Sequence, residues 1–109
     1  MEVRRGDLVV VAMQGDYGKP RPALVMQSDA FADLNSLTVL RLTTDVRDLP
    51  LTRITIEPGR STGLRLPSQV MIDKAGTIPR AKIGQRIGRV DAATMRSVET
   101  ALARFLGLQ

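Results

Sequence analysis

At 109 residues with 43% hydrophobic content the chain has the size and composition of one folded domain with a modest core, and no apolar run approaches the about 18 residues of a membrane span. It contains no cysteine and no histidine, which excludes disulfide frameworks, thiolate metal sites, histidine triads and the paired-histidine route to RNA cleavage. Thirteen arginines and three lysines against 11 carboxylates give a net charge of +5, a balance that suits a polyanionic partner but carries no specificity by itself.

Met1–Gly6 has no apolar targeting segment, so a cytoplasmic location is expected. Leu8–Met13 is a β-branched run of strand length, and Gln14–Lys19 is punctuated by Gly15 and Gly18 as a loop. Pro22–Gln27 reads as a second strand pairing with the first. Ser28–Asn35 reads as a helical turn or loop capped by Ser28 or Asp29. Leu37–Thr43 has strong β-propensity, and Thr52–Glu57 alternates polar and apolar as a strand with one wet face does. Gln69–Ile72 is a short strand, and Lys74–Ile83, with Gly76 and Pro79, reads as an irregular turn. Gly84–Val90 gives one more strand. From Asp91 the period changes: an N-cap is followed by Met95, Val98, Leu102, Phe105 and Leu106 on one helical stripe, with Gly107 as terminator. The expected architecture is mainly β with a C-terminal α-helix, a strongly bent sheet or partly open barrel in a single domain spanning residues 1–109. Dimerisation would complete the burial of so small a core.

One stretch stands out. Gly18-Lys19-Pro20-Arg21-Pro22-Ala23-Leu24-Val25 joins a basic loop to an apolar strand, with Arg21 between two prolines. Each proline fixes its own φ and restricts the residue before it, so the Arg21 backbone is constrained before any tertiary contact forms. A guanidinium held at a strand mouth suits a phosphate or carboxylate. The plainer reading is a stiffened loop with Arg21 in water.

Taken together and in order, four segments resemble the MazF/PemK-like toxins of bacterial toxin–antitoxin pairs. They are Arg5-Gly6-Asp7 before an apolar strand; Gly18–Val25; Val39-Leu40-Arg41-Leu42-Thr43-Thr44; and Gln69–Lys74 followed by Thr77-Ile78 and Val90-Asp91. The resemblance implies an SH3-like barrel that dimerises, needs no metal or other cofactor, cuts single-stranded RNA at short sequences and is neutralised by a cognate antitoxin. It places the family's catalytic arginine on Arg21, its site threonine on Thr43, with Thr44 as neighbour, and an acidic residue of relatives on Asp73. Met71 and Lys74 depart from relatives that carry arginine and glutamine there, which leaves the general base open between Asp73 and a substrate group.

The chemistry open to such residues is attack by the RNA 2′-hydroxyl on the adjacent phosphorus. Arg21 would neutralise the phosphate oxygens, and the Thr43 hydroxyl would donate to one of them. Tyr17 is the aromatic expected beside the site, and Lys19, Arg47, Lys74 and Arg80 are candidates for backbone phosphates. Two other readings are a CcdB-like gyrase poison without catalysis and an RNA-binding barrel without turnover. The first relies on a C-terminal Trp-Gly-Ile, whereas this chain ends Phe105-Leu106-Gly107-Leu108-Gln109.

Overall fold

The β-branched and leucine-rich runs extend, pair and bury both of their faces. In a computed structural model, which describes residues 2–12 and 19–108, six strands form one antiparallel sheet: β1 (Asp7–Val11), β2 (Arg21–Val25), β3 (Ser36–Thr43), β4 (Arg53–Ile56), β5 (Ser68–Pro79) and β6 (Ile83–Arg89). Their spatial order is β4-β5-β3-β2-β1-β6, and the chain ends in helix α1 (Ala92–Leu106). The expected mainly β fold with a C-terminal helix is the one observed.

Side chains alternate across a strand, and here both sets find a core. Leu8, Leu24, Leu40, Leu42, Val70 and Ile72 pack with Met95, Val98 and Ala101 of α1. Val9, Val11, Ala23, Val25 and Val39 point the other way and pack with Leu37 and Ile78, with Ile83 alongside. The sheet must therefore curl until the later half of β5 and the start of β6 cover its second face. Irregular pairing permits the bend. Between Leu40 and Leu42, which pair with Ala75 and Val70, the single residue Arg41 of β3 stands opposite four residues of β5. Two further register shifts lie between β1 and β6.

The segment expected as an irregular turn, Lys74–Ile83, is instead mostly strand: β5 runs on to Pro79 and only Arg80–Lys82 forms a 3-10 turn. Gly76 is accommodated because it pairs with Val39 over a buried core, and Pro79 falls at the strand's last residue, where a missing N–H is tolerated. The helical turn after β2 is a 3-10 segment, Asp29–Phe31, with the Ser28 side chain accepting from the Ala30 N–H. Helix α1 starts as expected, with the Asp91 carboxylate accepting from the Thr94 N–H at 2.7 Å, and ends on Gly107 at φ 72°. Its apolar stripe is buried only as far as the sheet reaches. Met95, Val98 and Ala101 are covered, whereas Phe105 and Leu106 are more than half exposed.

The two edge strands are bridged at one end by the loop that follows β4. Ser61 O accepts from the Arg89 N–H at 2.8 Å, and the Thr62 backbone lies so close to Gly88 that a Cβ there would sit 2.2 Å from its carbonyl. This contact makes the bent sheet a partly closed barrel. At the same end, the buried Asp7 carboxylate ties the N-terminus to β6. It accepts from the Arg4 N–H at 2.8 Å and the Arg89 Nη1 at 2.9 Å, and lies 3.2 Å from Arg86 Nε. Burial opposes its ionisation, but these donors outweigh it and hold the carboxyl below its ordinary value of 3.8.

Two outcomes are expected. Gly88→Ala should lower stability by about 1–3 kcal/mol in urea denaturation, the usual cost of overpacking, because both neighbouring groups are backbone. A carboxyl titrating lower in the folded than in the unfolded protein stabilises above pH 3.8, and that contribution fades as pH falls towards the folded value. Asp7→Asn should therefore cost about 1–3 kcal/mol at neutral pH and less at pH 3. Equal losses at both pH values would refute the assigned role of the charge.

Candidate active site

The β2–β3 register brings together two residues that lie far apart in the chain. Ala23 pairs with Arg41, Leu24 with Leu40 and Val25 with Val39, so two more steps along the same register set Arg21 opposite Thr43. Both lie at the end of the sheet remote from Asp7, since Arg21 also pairs with Val11, the last residue of β1. They line a small cleft of about 30 Å³ together with Pro22, Leu42, Thr44 and Ser68. Arg21 is exposed and Thr43 half-buried, so the pair forms a cationic and hydroxylic rim over an apolar floor.

Thr43 is the last residue of its strand, and the chain turns immediately. Its Oγ1 accepts from the Asp45 N–H at 3.1 Å. A hydroxyl that accepts in this way still has its own proton to give, and the bond restricts the directions in which the O–H can point. The turn-capping role that a strand-end threonine suggests is therefore real, and it is compatible with donation to a ligand oxygen.

The other expected residues are distributed unevenly. Thr44 lines the cleft and is exposed. Lys19 is exposed two residues before Arg21. Arg47 lies on the loop after Thr43, but its guanidinium is engaged by Asp45, with Nε 2.9 Å and Nη2 2.8 Å from Asp45 Oδ2. Asp73 and Lys74 are exposed in the irregular stretch of β5 opposite Arg41, with Lys74 Nζ 3.8 Å from Asp73 Oδ2. Asp73 is not among the residues lining the cleft. Arg80 is at the opposite end of β3, where its Nε donates to Leu34 O. Seven residue steps separate that end from Thr43, about 23 Å of strand. Tyr17 lies outside the described residues.

Sequence did not single out one further lining residue, Ser68, or two residues that brace the turn after Thr43, Gln69 and Arg53. Ser68 is buried, and its hydroxyl donates to Leu66 O at 3.0 Å. Gln69 pairs with Thr43 on β3 and Thr55 on β4, and its side chain is buried beneath the loop after Thr43. Arg53 reaches in from β4, its Nη1 donating to Asp45 O at 3.1 Å and to Gln69 Oε1 at 3.0 Å. The available signal was the polar pair Ser68-Gln69 opening the apolar run Val70–Ile72, but the partners of the Gln69 side chain belong to other elements.

Among the described residues no group of three or more acidic side chains is arranged to hold a metal ion, and no helix is long and apolar enough to cross a membrane. The chemistry the cleft can offer is phosphate neutralisation by Arg21 and hydroxyl donation by Thr43.

The chain is similar to known proteins in both sequence and fold. Residues 4–106 match a family described as PemK-like, MazF-like toxin of type II toxin–antitoxin system. A Mycolicibacterium smegmatis protein named probable endoribonuclease MazF is 46% identical over 107 residues, covering 97% of this chain and 98% of its own length. A solved endoribonuclease in complex with its cognate antitoxin, from a mycobacterial species, superposes with a TM-score of 0.83 at 27% identity, over 98% of this chain and 97% of that one. The Mycobacterium tuberculosis toxin MazF-mt6 gives a TM-score of 0.81 at 26% identity, over 94% of this chain and 98% of its own.

Proposed function

The chain belongs to the PemK-like, MazF-like toxins of type II toxin–antitoxin systems, and we propose that it is a metal-independent endoribonuclease that cuts single-stranded RNA at short sequences. It acts in the cytoplasm as a homodimer and is neutralised by a cognate antitoxin. The observation that carries this reading is the convergence of Arg21 and Thr43 on one cleft. The 46% identity to a protein named as an endoribonuclease supports the reaction type, and the solved complex of a relative with its antitoxin supports the partner. The exposed Phe105, Leu106 and Leu108 give apolar surface for a second copy to cover.

The reaction follows from what RNA brings with it. Its 2′-hydroxyl oxygen attacks the adjacent phosphorus while the bond from phosphorus to the 5′-oxygen breaks, leaving a 2′,3′-cyclic phosphate and a 5′-hydroxyl. One proton leaves the 2′-oxygen and one is delivered to the departing 5′-oxygen. Arg21 binds the phosphate and neutralises charge that grows on its oxygens in the transition state. The Thr43 O–H, oriented by its bond from Asp45, donates to a phosphate oxygen and favours the in-line arrangement. The described residues that line the cleft include no carboxylate, and the base is either Asp73 or a group of the substrate. Lys19 and Lys74 supply charge for neighbouring phosphates, and splayed bases lie beyond the cleft.

The test is incubation of the protein with a long single-stranded RNA in EDTA, followed by analysis of the cut ends. Discrete cuts with 5′-hydroxyl ends are expected, reduced about 10²–10³-fold by Arg21→Ala and substantially by Thr43→Val. Uncut RNA would favour a gyrase poison or a silent RNA-binding barrel. Asp73→Asn separates the two candidate bases: an unchanged rate assigns the role to the substrate, and a loss of 10²-fold or more, at the lower end of general-base contributions, assigns it to Asp73.

A further inference from the structure

The buried carboxamide of Gln69 makes four hydrogen bonds, as many as a glutamine side chain readily forms. Its Oε1 accepts from the Arg47 N–H at 3.0 Å and from Arg53 Nη1 at 3.0 Å. Its Nε2 donates to Arg47 O at 3.0 Å and lies 3.2 Å from Thr55 Oγ1. The side chain thus engages both backbone polar groups of Arg47, as a neighbouring strand would. The backbone of Gln69 meanwhile pairs with Thr43. One residue therefore holds both ends of the segment from Thr43 to Arg47. Between them sits Asp45, whose N–H orients the Thr43 hydroxyl and whose carbonyl is fixed by Arg53.

We propose that Gln69 is a positioning residue for the cleavage reaction, setting the Thr43 hydroxyl and the wall that carries Thr44 by clamping the backbone at Arg47. This rests on the ribonuclease reading above. Thr44, Asp45, Val46 and Arg47 are all exposed, the Asp45–Arg47 ion pair lies within the segment itself, and the Arg53 guanidinium that bonds Asp45 O is itself held by Gln69. An exposed pair of this kind restrains little. Without the clamp the turn should sample several arrangements, only some of which leave the Thr43 proton aimed into the cleft. Displacements of about 1 Å in such groups can cost on the order of 10²-fold in rate.

The role is distinguishable from general support of the fold. Gln69→Met keeps the buried volume and removes all four bonds, and it carries the test if Gln69→Ala fails to fold. Three quantities are measured: kcat and KM on a short single-stranded RNA containing one mapped cut, hydrogen exchange at the Arg47 amide, and the melting temperature. A core variant outside the residues that line the cleft, Val98→Ala in α1, serves as the control for lost stability. Gln69→Met is expected to lower kcat by about 10–100-fold with KM changed less than threefold, and to speed exchange at Arg47 at least tenfold. Val98→Ala is expected to lower the melting temperature without either change. An unchanged kcat in Gln69→Met overturns the positioning role, as does a fall in kcat with exchange at Arg47 unaltered. A parallel loss of kcat in Val98→Ala overturns it too. If the wild type leaves RNA uncut, the ribonuclease reading fails and takes this role with it, whereas wild-type cleavage with an indifferent Gln69→Met removes this role alone.

Discussion

The antiparallel register between β2 and β3 is the constraint on which the rest of the molecule depends. Leu24 and Leu40 face one core, Val25 and Val39 face the other, and all four are almost fully buried. In a sheet with one wet face a slip of one residue exposes the core set; here it would drive each set into the wrong core. Two-sided burial therefore fixes the alignment far more firmly than the short ladder could through its hydrogen bonds alone. Arg21 and Thr43 inherit that precision. They are the first residue of one strand and the last of its neighbour, placed by apolar side chains that never touch the cleft.

Polar interactions then divide the barrel into two ends. At one, Asp7 gathers the Arg4 N–H and the Arg86 and Arg89 side chains, the Gly6 carbonyl accepts from the Val90 N–H, and Asp91 caps the helix. These contacts join the N-terminus, β6 and α1, elements distant in the chain. At the other end the polar groups are spent differently. Gln69, Arg53 and the Thr43 hydroxyl shape a single turn, and Arg21 is left projecting into solvent. Charge secures closure at the first end and is kept available at the second, so substitutions at the two ends act on different properties of the protein.

How much of this was legible in the sequence depended on the range of the interaction responsible. Strands 8–13 and 37–43 and the helix from Asp91 are declared by local patterns, and the structure reproduces them within a few residues. At the end of the helix the apolar periodicity continues through Phe105 and Leu106 after the sheet beneath has ended, so the stripe is longer than the face it buries. Gly76 and Pro79 read as breakers, yet β3 supplies partners that keep β5 extended through both. At the site, Arg21 and Thr43 are 22 residues apart, and nothing in their spacing joins them; family resemblance suggested the pair and the strand register supplies a physical reason. Arg80, a phosphate candidate on its charge alone, sits at the far end of β3. Gln69 could not be recognised in advance, because the three residues its side chain bonds lie on β4 and on the loop after β3.

The order of the strands has a consequence for how the protein avoids its own kind of misassembly. A sheet that starts at β4 and ends at β6 leaves two rows of backbone groups facing outward, and such rows invite strands from other chains. β4 is only four residues long, which gives an incoming strand little to grip. β6 is protected over its later half by the loop through Ser61, two register shifts interrupt its pairing along its length, and the exposed charges of Lys82 and Arg86 flank its earlier half. The irregularities that let the sheet bend around its second core thus also spoil its outer border as a template, so curvature and resistance to edge-to-edge aggregation come from the same few residues.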